Sequence, residues 1–412
     1  MHILYFHQYF STPKGAAGTR SYEAAKALVD RGHQVTMVCG SGKHLKIDGL
    51  QQVRDGEKRG AVDGIDVIQY ELPYSNRDSF IRRAITFIRY ALKSIRIVLF
   101  SDYDLIYATS TPLTAAIPGI AAKLTMRGKP FVFEVRDLWP ELPKAMGVIR
   151  NPIVLMTMSA LEWLAYRSAD MCVGLAPGIV AGIRKRSSSS LPVELIPNSC
   201  DLSLFRPDVN QESIAGVEDG AFVALFTGAH GIANGLDAVL DVADELKRRG
   251  RGDIKLVFIG DGNRKDALVH RAKANGLDNC VFLDSVPKTS LPAILVRADL
   301  GLMILDDVPA FYNGTSPNKF FDYISSGLPV LINYPGWLSE LVVEHECGLS
   351  VDPGVAVAFA DALEYLADQP EQLQRMGRRA RELGEMKFNR ARLNEHLLKS
   401  LTRFIPNVNK CL

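Results

Sequence analysis

The stretch DVNQESIAGVEDGAFVALFTGAHGIANG, residues 208–235, decides how the chain is organised. Its first part, Asp208 to Gly220, is a polar connector. Its second part opens with the apolar run Phe222–Thr227 and turns through Gly228-Ala229-His230-Gly231 towards a helical segment at Leu236–Arg249. A short unbroken apolar run, a glycine turn and a helix together make the opening unit of a parallel α/β sheet. Strands covered on both faces lose the polar alternation of a half-exposed strand. This opening unit stands in mid-chain, so a second sheet begins there.

The same alternation fills the residues before it. Strand-like runs are His2–Phe6, Gln34–Cys39, Ile65–Leu72, Leu105–Thr109, Phe131–Val135, Met171–Leu175 and Val193–Ile196, with helical spacing in segments such as Ser21–Arg31 and Pro152–Ser168. Downstream the runs are Lys255–Ile259, Val281–Leu283, Leu300–Leu305 and Pro329–Asn333, separated by helical segments at Arg264–Asn275 and Lys319–Ser326. From Ala356 onward the pattern is helical. The fold class is α/β: two doubly wound, Rossmann-like domains joined near residues 200–210 and facing across a cleft, where loops at the carboxyl ends of the strands collect. A length of 412 residues fits two such cores better than one.

Composition narrows the partners. The 48 basic and 46 acidic residues leave a net charge of +2, which gives no reason to expect nucleic acid, and 47% apolar content is that of a globular protein. Six scattered cysteines (Cys39, Cys172, Cys200, Cys280, Cys347, Cys411) form no CxxC pair and have no histidine at metal-ligand spacing. They read as buried free thiols in a reducing compartment, with no metal site. Met1 leads into Ile3-Leu4-Tyr5-Phe6 without a signal-peptide pattern, and the best candidate span, Leu113 to Leu124, is short and broken by Pro118. The expected location is cytoplasmic, at most peripheral to the inner face of a membrane.

Four loops are candidate phosphate cradles. The first, Pro13 to Arg20, contains Gly15 and Gly18 and runs into a helix with Arg20 at its start. The second contains Gly228 and His230, whose ring either donates to a phosphate or caps the turn. The third contains Gly260 and Gly262. The fourth, Asn313 to Val330, carries the most information: Ser316, Pro317 and Asn318 precede a one-sided helix that stops at Gly327 before a buried strand. Lys319 falls in the first turn of that helix, where a cation opposes the helix dipole unless an anion is bound. Asp322, one turn on, is placed to accept sugar or ribose hydroxyls.

These residues together resemble the family-4 retaining glycosyltransferases of GT-B fold. The most specific match is Ile196-Pro197-Asn198-Ser199-Cys200-Asp201 with Phe205 and Pro207, against the family's interdomain pattern I-P-N-G-V-D-x-x-x-F-x-P. Further matches are Arg31 to Val35, Gly327-Leu328-Pro329-Val330, Glu340 with Gly348-Leu349, and the tail from Asp368 to Phe388. Glu134 to Glu141 and Ser316 to Asp322 resemble a narrower subgroup, the WbuB-like L-fucosamine (N-acetylfucosaminyl) transferases of bacterial O-antigen and capsule synthesis. The resemblance implies an acceptor-side domain at 1–205, a nucleotide-sugar domain at 206–388, and a C-terminal helix at 389–412 that returns to the first domain. It implies a retaining, metal-independent transfer from a nucleotide sugar, commonly UDP-linked, with no resident cofactor. The sugar expected is an N-acetylated hexosamine or deoxyhexosamine, and the acceptor a lipid-linked saccharide.

The sequence departs from that family at charged positions. Of the family's E-x7-E pair, the first position is Gly314 and the second Asp322. The Arg and Lys of the C-terminal phosphate loop fall on Ala229 and Asn234, and a histidine of the N-terminal domain falls on Arg136. The candidate catalytic set is therefore Lys319, Asp322, Arg136 and Asp137; the basic residues left for the diphosphate are Lys319, His230, Arg136 and Arg20. Asp137 and Glu141 either orient the acceptor or cap the turn at Trp139-Pro140. Arg82, Arg89, Lys93 and Arg96 lie within about 60° of arc on a helix at Ile81–Phe100 and make a candidate membrane contact, with the apolar residues on its other faces. Alternative readings are a GT-B nucleotide-sugar 2-epimerase and a catalytically silent binding subunit of a transferase complex.

Overall fold

The computed structural model describes residues 1–42, 45, 47–74, 78–125 and 128–404, without the side chains of Tyr74 and Phe80. It divides into two compact units. One comprises Met1–Pro197, Gly314–Ser316 and Ala391–Leu412, and the other Asn198–Asn313 and Pro317–Arg390.

The first unit is built on a nine-stranded sheet. In chain order the strands are β1 (His2–Phe6), β2 (Gln34–Gly42), β3 (Gln51–Arg54), β4 (Glu57–Val62), β5 (Ile65–Tyr74), β6 (Leu105–Thr109), β7 (Phe131–Val135), β8 (Met171–Gly174) and β9 (Val193–Leu195). Their spatial order is β3-β4-β5-β2-β1-β6-β7-β8-β9. All pairings are parallel except β3 with β4 and β4 with β5. Ile3, Val35, Met37, Leu105, Val132 and Val173 fill its core with Leu28 of the Arg20–Asp30 helix. The last helix, Arg390–Thr402, adds Leu397, Leu398 and Leu401 to the same core.

The second unit carries a six-stranded parallel sheet of β10 (Phe222–Thr227), β11 (Ile254–Ile259), β12 (Cys280–Leu283), β13 (Leu300–Met303), β14 (Val330–Ile332) and β15 (Gly348–Ser350), in the order β12-β11-β10-β13-β14-β15. Helix Asp237–Arg248 buries Val239, Leu240, Val242, Ala243 and Leu246 against it, as its apolar spacing requires. In each sheet the chain leaves its first strand towards one edge and later resumes on that strand's other side, so switch points lie at β1/β6 and at β10/β13. Such switch points are where doubly wound sheets open a crevice beyond the carboxyl ends of the strands.

Two boundaries differ from those expected at 205/206 and 388/389. Residues 198–205 belong with the second unit, because Cys200 N donates to Phe388 O (2.8 Å), Arg381 Nη1 donates to Phe205 O (2.7 Å) and Arg390 Nη1 pairs with Asp201 at 2.6 Å. The other boundary falls after Arg390 for the same reason. Cys39, Cys172, Cys200 and Cys347 are buried free thiols and Cys280 is partly buried, whereas Cys411 lies outside the described residues. Among the described residues, no helix is long and apolar enough to cross a membrane.

Candidate functional site

In the second unit, the switch point between β10 and β13 is flanked by the Gly228–Gly235 loop and by helix Asn318–Ser325. Lys319 reaches from the first turn of that helix onto the loop. Its Nζ stands 3.6 Å from the Phe226 ring centroid and donates to Asn234 Oδ1 at 3.2 Å. Gly228 has φ +134, and a Cβ there would lie 3.2 Å from Lys319 Cε and Nζ, so only glycine lets the amine settle on the loop. Asn234 in turn donates from Nδ2 to Ala229 O at 2.7 Å, which fixes the amide that receives the lysine. Burial lowers the Lys319 pKa to about 7. The amine has a ring, an amide oxygen and glycine backbone around it. Among the described residues, no carboxylate forms an ion pair with it.

The helix behind Lys319 is poorly capped. Pro317 occupies the cap position without a side-chain hydrogen bond, and no acidic residue stands in the first turn. Its amides and dipole are thus directed at the same place as the amine. Asn318 is partly buried beside it; Ser316 is partly buried too and is grouped with the first unit.

Asp322 does not share that place. It is 6% exposed, and both its oxygens accept from Lys288 Nζ at 2.6 Å. Burial raises its pKa and Lys288 opposes the rise. The expectation of an open hydroxyl acceptor is corrected: the carboxylate turns inward to a buried partner, which also stands 4.9 Å over the Phe205 ring. His230 is corrected likewise. Its ring is fully buried 6.1 to 6.4 Å from Phe226, Phe258 and Phe282, with neither nitrogen partnered. Burial first, then the charges of Lys265 and Lys319, lower its pKa to about 4, so it is neutral at pH 7. Gly260 and Gly262 serve loop packing, since a Cβ on either would strike Gly228 O at 1.8 Å or His230 O at 2.3 Å.

In the first unit, Arg20 starts helix Arg20–Asp30 but is closed in. It pairs with Glu134 at 2.8 Å and donates to Ile196 O (2.8 Å) and Pro197 O (2.6 Å). Glu134 also accepts from Tyr107 Oη (2.7 Å) and Thr109 Oγ1 (2.8 Å). Burial alone would raise the Glu134 pKa, but Arg20, Arg136 and Tyr107 outweigh it and hold the carboxyl at about 2. The expected phosphate role of Arg20 therefore gives way to a buried pair with a full set of partners. Gly15 is buried in the turn before it, its amide donating to Thr12 O at 2.9 Å, and Gly18 is partly buried.

Beyond β7, Arg136 and Asp137 stand side by side, both partly buried. Arg136 N donates to Ser110 Oγ at 2.9 Å, and its Nη1 lies 3.1 Å from His7 Nε2. Burial and then Arg136 lower the His7 pKa, so His7 is the neutral acceptor of that bond. Thr111 Oγ1 donates to Asp137 Oδ2 at 3.2 Å from a backbone with φ +121, a strained conformation for a β-branched residue and one that recurs at functional sites. Burial raises the Asp137 pKa, against Arg136 and Thr111. Glu141, exposed, lines a groove of about 590 Å³ with Lys144, Lys185 and Met156.

Sequence reasoning missed Lys288, His7 and Thr111, which carry no local motif. Glu134 did leave a signal, as the one acid in the apolar run Phe131–Val135.

Two family models match the chain: "Glycosyl transferase 4-like domain" over residues 15–199 and "Glycosyl transferases group 1" over residues 210–383. The chain belongs to the family-4 glycosyltransferases. Its two parallel-sheet α/β units have the GT-B fold. A D-inositol 3-phosphate glycosyltransferase of Nocardia farcinica is 30% identical over 197 residues, 46% of this chain and 42% of that protein. The match thus spans under half the length of this relative. Among solved structures, a sucrose-phosphate synthase from Thermosynechococcus elongatus superposes with a TM-score of 0.76 at 17% identity, covering 98% of both chains. Anabaena Alr3699/HepE in complex with UDP and glucose gives 0.67 at 17% identity, covering 97% of this chain and 99% of that one. At such identities these two likenesses speak for the fold.

Proposed function

We propose that this glycosyltransferase moves a sugar, an N-acetylated hexosamine or deoxyhexosamine, from a UDP-sugar to a lipid-linked saccharide in bacterial surface-polysaccharide synthesis. The reaction retains anomeric configuration and works at the inner membrane face. The nucleotide sugar is a co-substrate and no resident cofactor is needed. One observation carries the reading: Lys319 is a partly buried amine held at a switch point, with no counter-charge among the described residues. A diphosphate supplies that charge. As the bond from the sugar's anomeric carbon to the diphosphate breaks, negative charge grows on the leaving oxygen. The Lys319 ammonium and the N-terminal dipole of helix Asn318–Ser325 stabilise it without having to reorganise. Asn234, standing where the family has a lysine, positions the amine instead of adding a second charge. Asp137, its carboxyl raised by burial, is suited to accept from an acceptor hydroxyl, with Thr111 and Arg136 holding its place. The UDP seen in the HepE complex supports the choice of nucleotide.

The test is to incubate the purified chain with UDP-, GDP- and dTDP-sugars and a membrane lipid extract. Sugar from the UDP donor entering the lipid fraction is the expected result. A changed free nucleotide sugar means epimerisation, and binding with neither product means a binding subunit. Lys319→Ala should weaken UDP binding, read by titration calorimetry, about 10- to 100-fold, the loss expected for a charge-assisted hydrogen bond. Unchanged affinity in that variant removes Lys319 as the diphosphate anchor.

A further inference from the structure

The basic helix of the first unit was expected to make a membrane contact through its basic residues, with its apolar residues on the other faces. Helix Phe80–Phe100 does bury Tyr90, Ala91, Ile97 and Val98, but Ile81, Ile85, Ile88 and Leu92 are each 46–71% exposed. Their spacing of four, three and four residues makes one straight stripe, about 16 Å long at 1.5 Å per residue. Arg82, Arg89 and Arg96, spaced by seven, stand exposed along one flank of that stripe. Lys93, expected beside them, is partly buried and lies 5.0 Å over the Tyr70 ring, so it leaves the ridge. The outward face of the helix is therefore half aliphatic and half arginine.

The exposure continues across the neighbouring helices. Helix Ile117–Leu124 packs between Phe80–Phe100 and Pro152–Ser168, and exposes Leu124. Pro152–Ser168 exposes Ile153, Met156 and Trp163 at helical spacing. With Phe100, these three helices hold nine of the eighteen large apolar side chains exposed among the described residues. Scattered exposed apolar residues are ordinary, but such a concentration in one helical layer marks an interaction face.

We infer that this layer docks on an anionic phospholipid bilayer, with Ile81, Ile85, Ile88 and Leu92 entering the acyl boundary and Arg82, Arg89 and Arg96 on the headgroup phosphates. Charge decides the occupant. Helix Phe80–Phe100 carries five basic residues and no acidic one, while the whole chain has a net charge of only +2, so the rest of the chain is net negative. A second copy would bring the same arginine ridge against this one, and like charges disfavour that pairing. An interfacial amphipathic helix has this arrangement, and a tryptophan in the same layer suits the boundary between headgroups and chains. The inference rests on the lipid-linked acceptor proposed above and supplies the surface that brings such an acceptor within reach.

The experiment is co-sedimentation of the full chain with vesicles of phosphatidylcholine, with and without phosphatidylglycerol, in the absence of nucleotide and acceptor. Binding should appear with phosphatidylglycerol and weaken with salt. Ile85→Ser with Ile88→Ser should lower the partition coefficient at least about tenfold, as follows from removing two exposed aliphatic anchors. Arg82→Gln with Arg89→Gln and Arg96→Gln should lose the preference for phosphatidylglycerol, and Val343→Ser, an exposed apolar change in the second unit, should do nothing. UDP titration of the same variants separates the two readings. If vesicle binding is absent while UDP binding is intact, docking is wrong and transfer stands. If Ile85→Ser with Ile88→Ser changes the sedimentation coefficient of the free protein instead, the face belongs to a second copy and the inference is overturned.

Discussion

Arg20 and Lys319 look alike in sequence and end in opposite electrostatic states. Each follows a loop of small residues, stands in the first turn of a helix, and reads as a phosphate anchor. Arg20 meets Glu134, itself bonded to Tyr107 and Thr109, and has its charge neutralised within the fold. Lys319 meets the Phe226 ring and the Asn234 amide oxygen, and its charge is only tolerated. A cation at a helix start therefore points to a ligand when the fold has left its counter-charge out. Where the counter-charge is built in, the same residue is a girder.

The largest effect should fall on the girder. Glu134→Gln leaves the Arg20 guanidinium buried without its partner and should cost about 3–5 kcal/mol of stability in urea denaturation, whereas Lys319→Met should cost nothing or stabilise. A loss below about 1 kcal/mol for Glu134→Gln breaks the comparison. Acid sharpens it. With its carboxyl held at about 2 against an ordinary 4.5, Glu134 gives its full stabilisation above that ordinary value, and the contribution disappears as pH falls towards 2. Glu134→Gln should flatten this part of the acid limb.

Lys319 should show a linkage of the same sign on the alkaline side, from the opposite cause: burial penalises its charged form, whereas partners stabilise the charged form of Glu134. Its amine is pulled from 10.5 to about 7, so between those values the unfolded chain holds a proton that the ligand-free folded chain has lost. Stability then rises with pH across that window, and Lys319→Met should remove the slope. UDP binding runs the other way. It needs the ammonium, so affinity should weaken as pH climbs past 7, approaching about tenfold per unit. Calorimetry in buffers of different ionisation enthalpy should show proton uptake on binding near pH 8. Affinity that stays flat from pH 6 to 9 denies the amine its role.

How much of this was legible in the sequence follows from the range over which each feature acts. The alternation of buried runs and helices is local, so both doubly wound sheets could be read from it. The β3–β4 hairpin escaped because Gln51–Arg54 is polar and fully exposed, and β15 because Gly348–Ser350 is three residues long. Lys319 was legible for a local reason too: a lysine in the first turn of a helix conflicts with the dipole unless an anion is bound. The fate of Arg20 was not, since Glu134 lies 114 residues away, and Lys288 stands 34 residues from Asp322. The outward stripe was hidden differently. Helix Phe80–Phe100 has apolar residues around most of its circumference, and only packing decides that Ile81, Ile85, Ile88 and Leu92 face out while Ala91 and Val98 face in.

His230 gives the smallest effect and the finest test. It stands within the Gly228–Gly235 loop on which the Lys319 amine settles, and a histidine there invites a catalytic reading. Its ring is neutral, lies among Phe226, Phe258 and Phe282, and leaves both nitrogens without partners. A buried polar ring without hydrogen bonds contributes less than an apolar ring of similar shape. His230→Phe should therefore change stability by no more than about 1 kcal/mol once the larger ring has settled against Gly260. UDP affinity should move less than about twofold, because the Lys319 amine keeps its place on Phe226 and Asn234. If His230→Phe instead weakens UDP as strongly as Lys319→Ala, the ring must swing out to meet the diphosphate. The loop would then hold two ligand-directed groups, and the contrast between a neutralised Arg20 and a lone Lys319 would have to be redrawn around a pair.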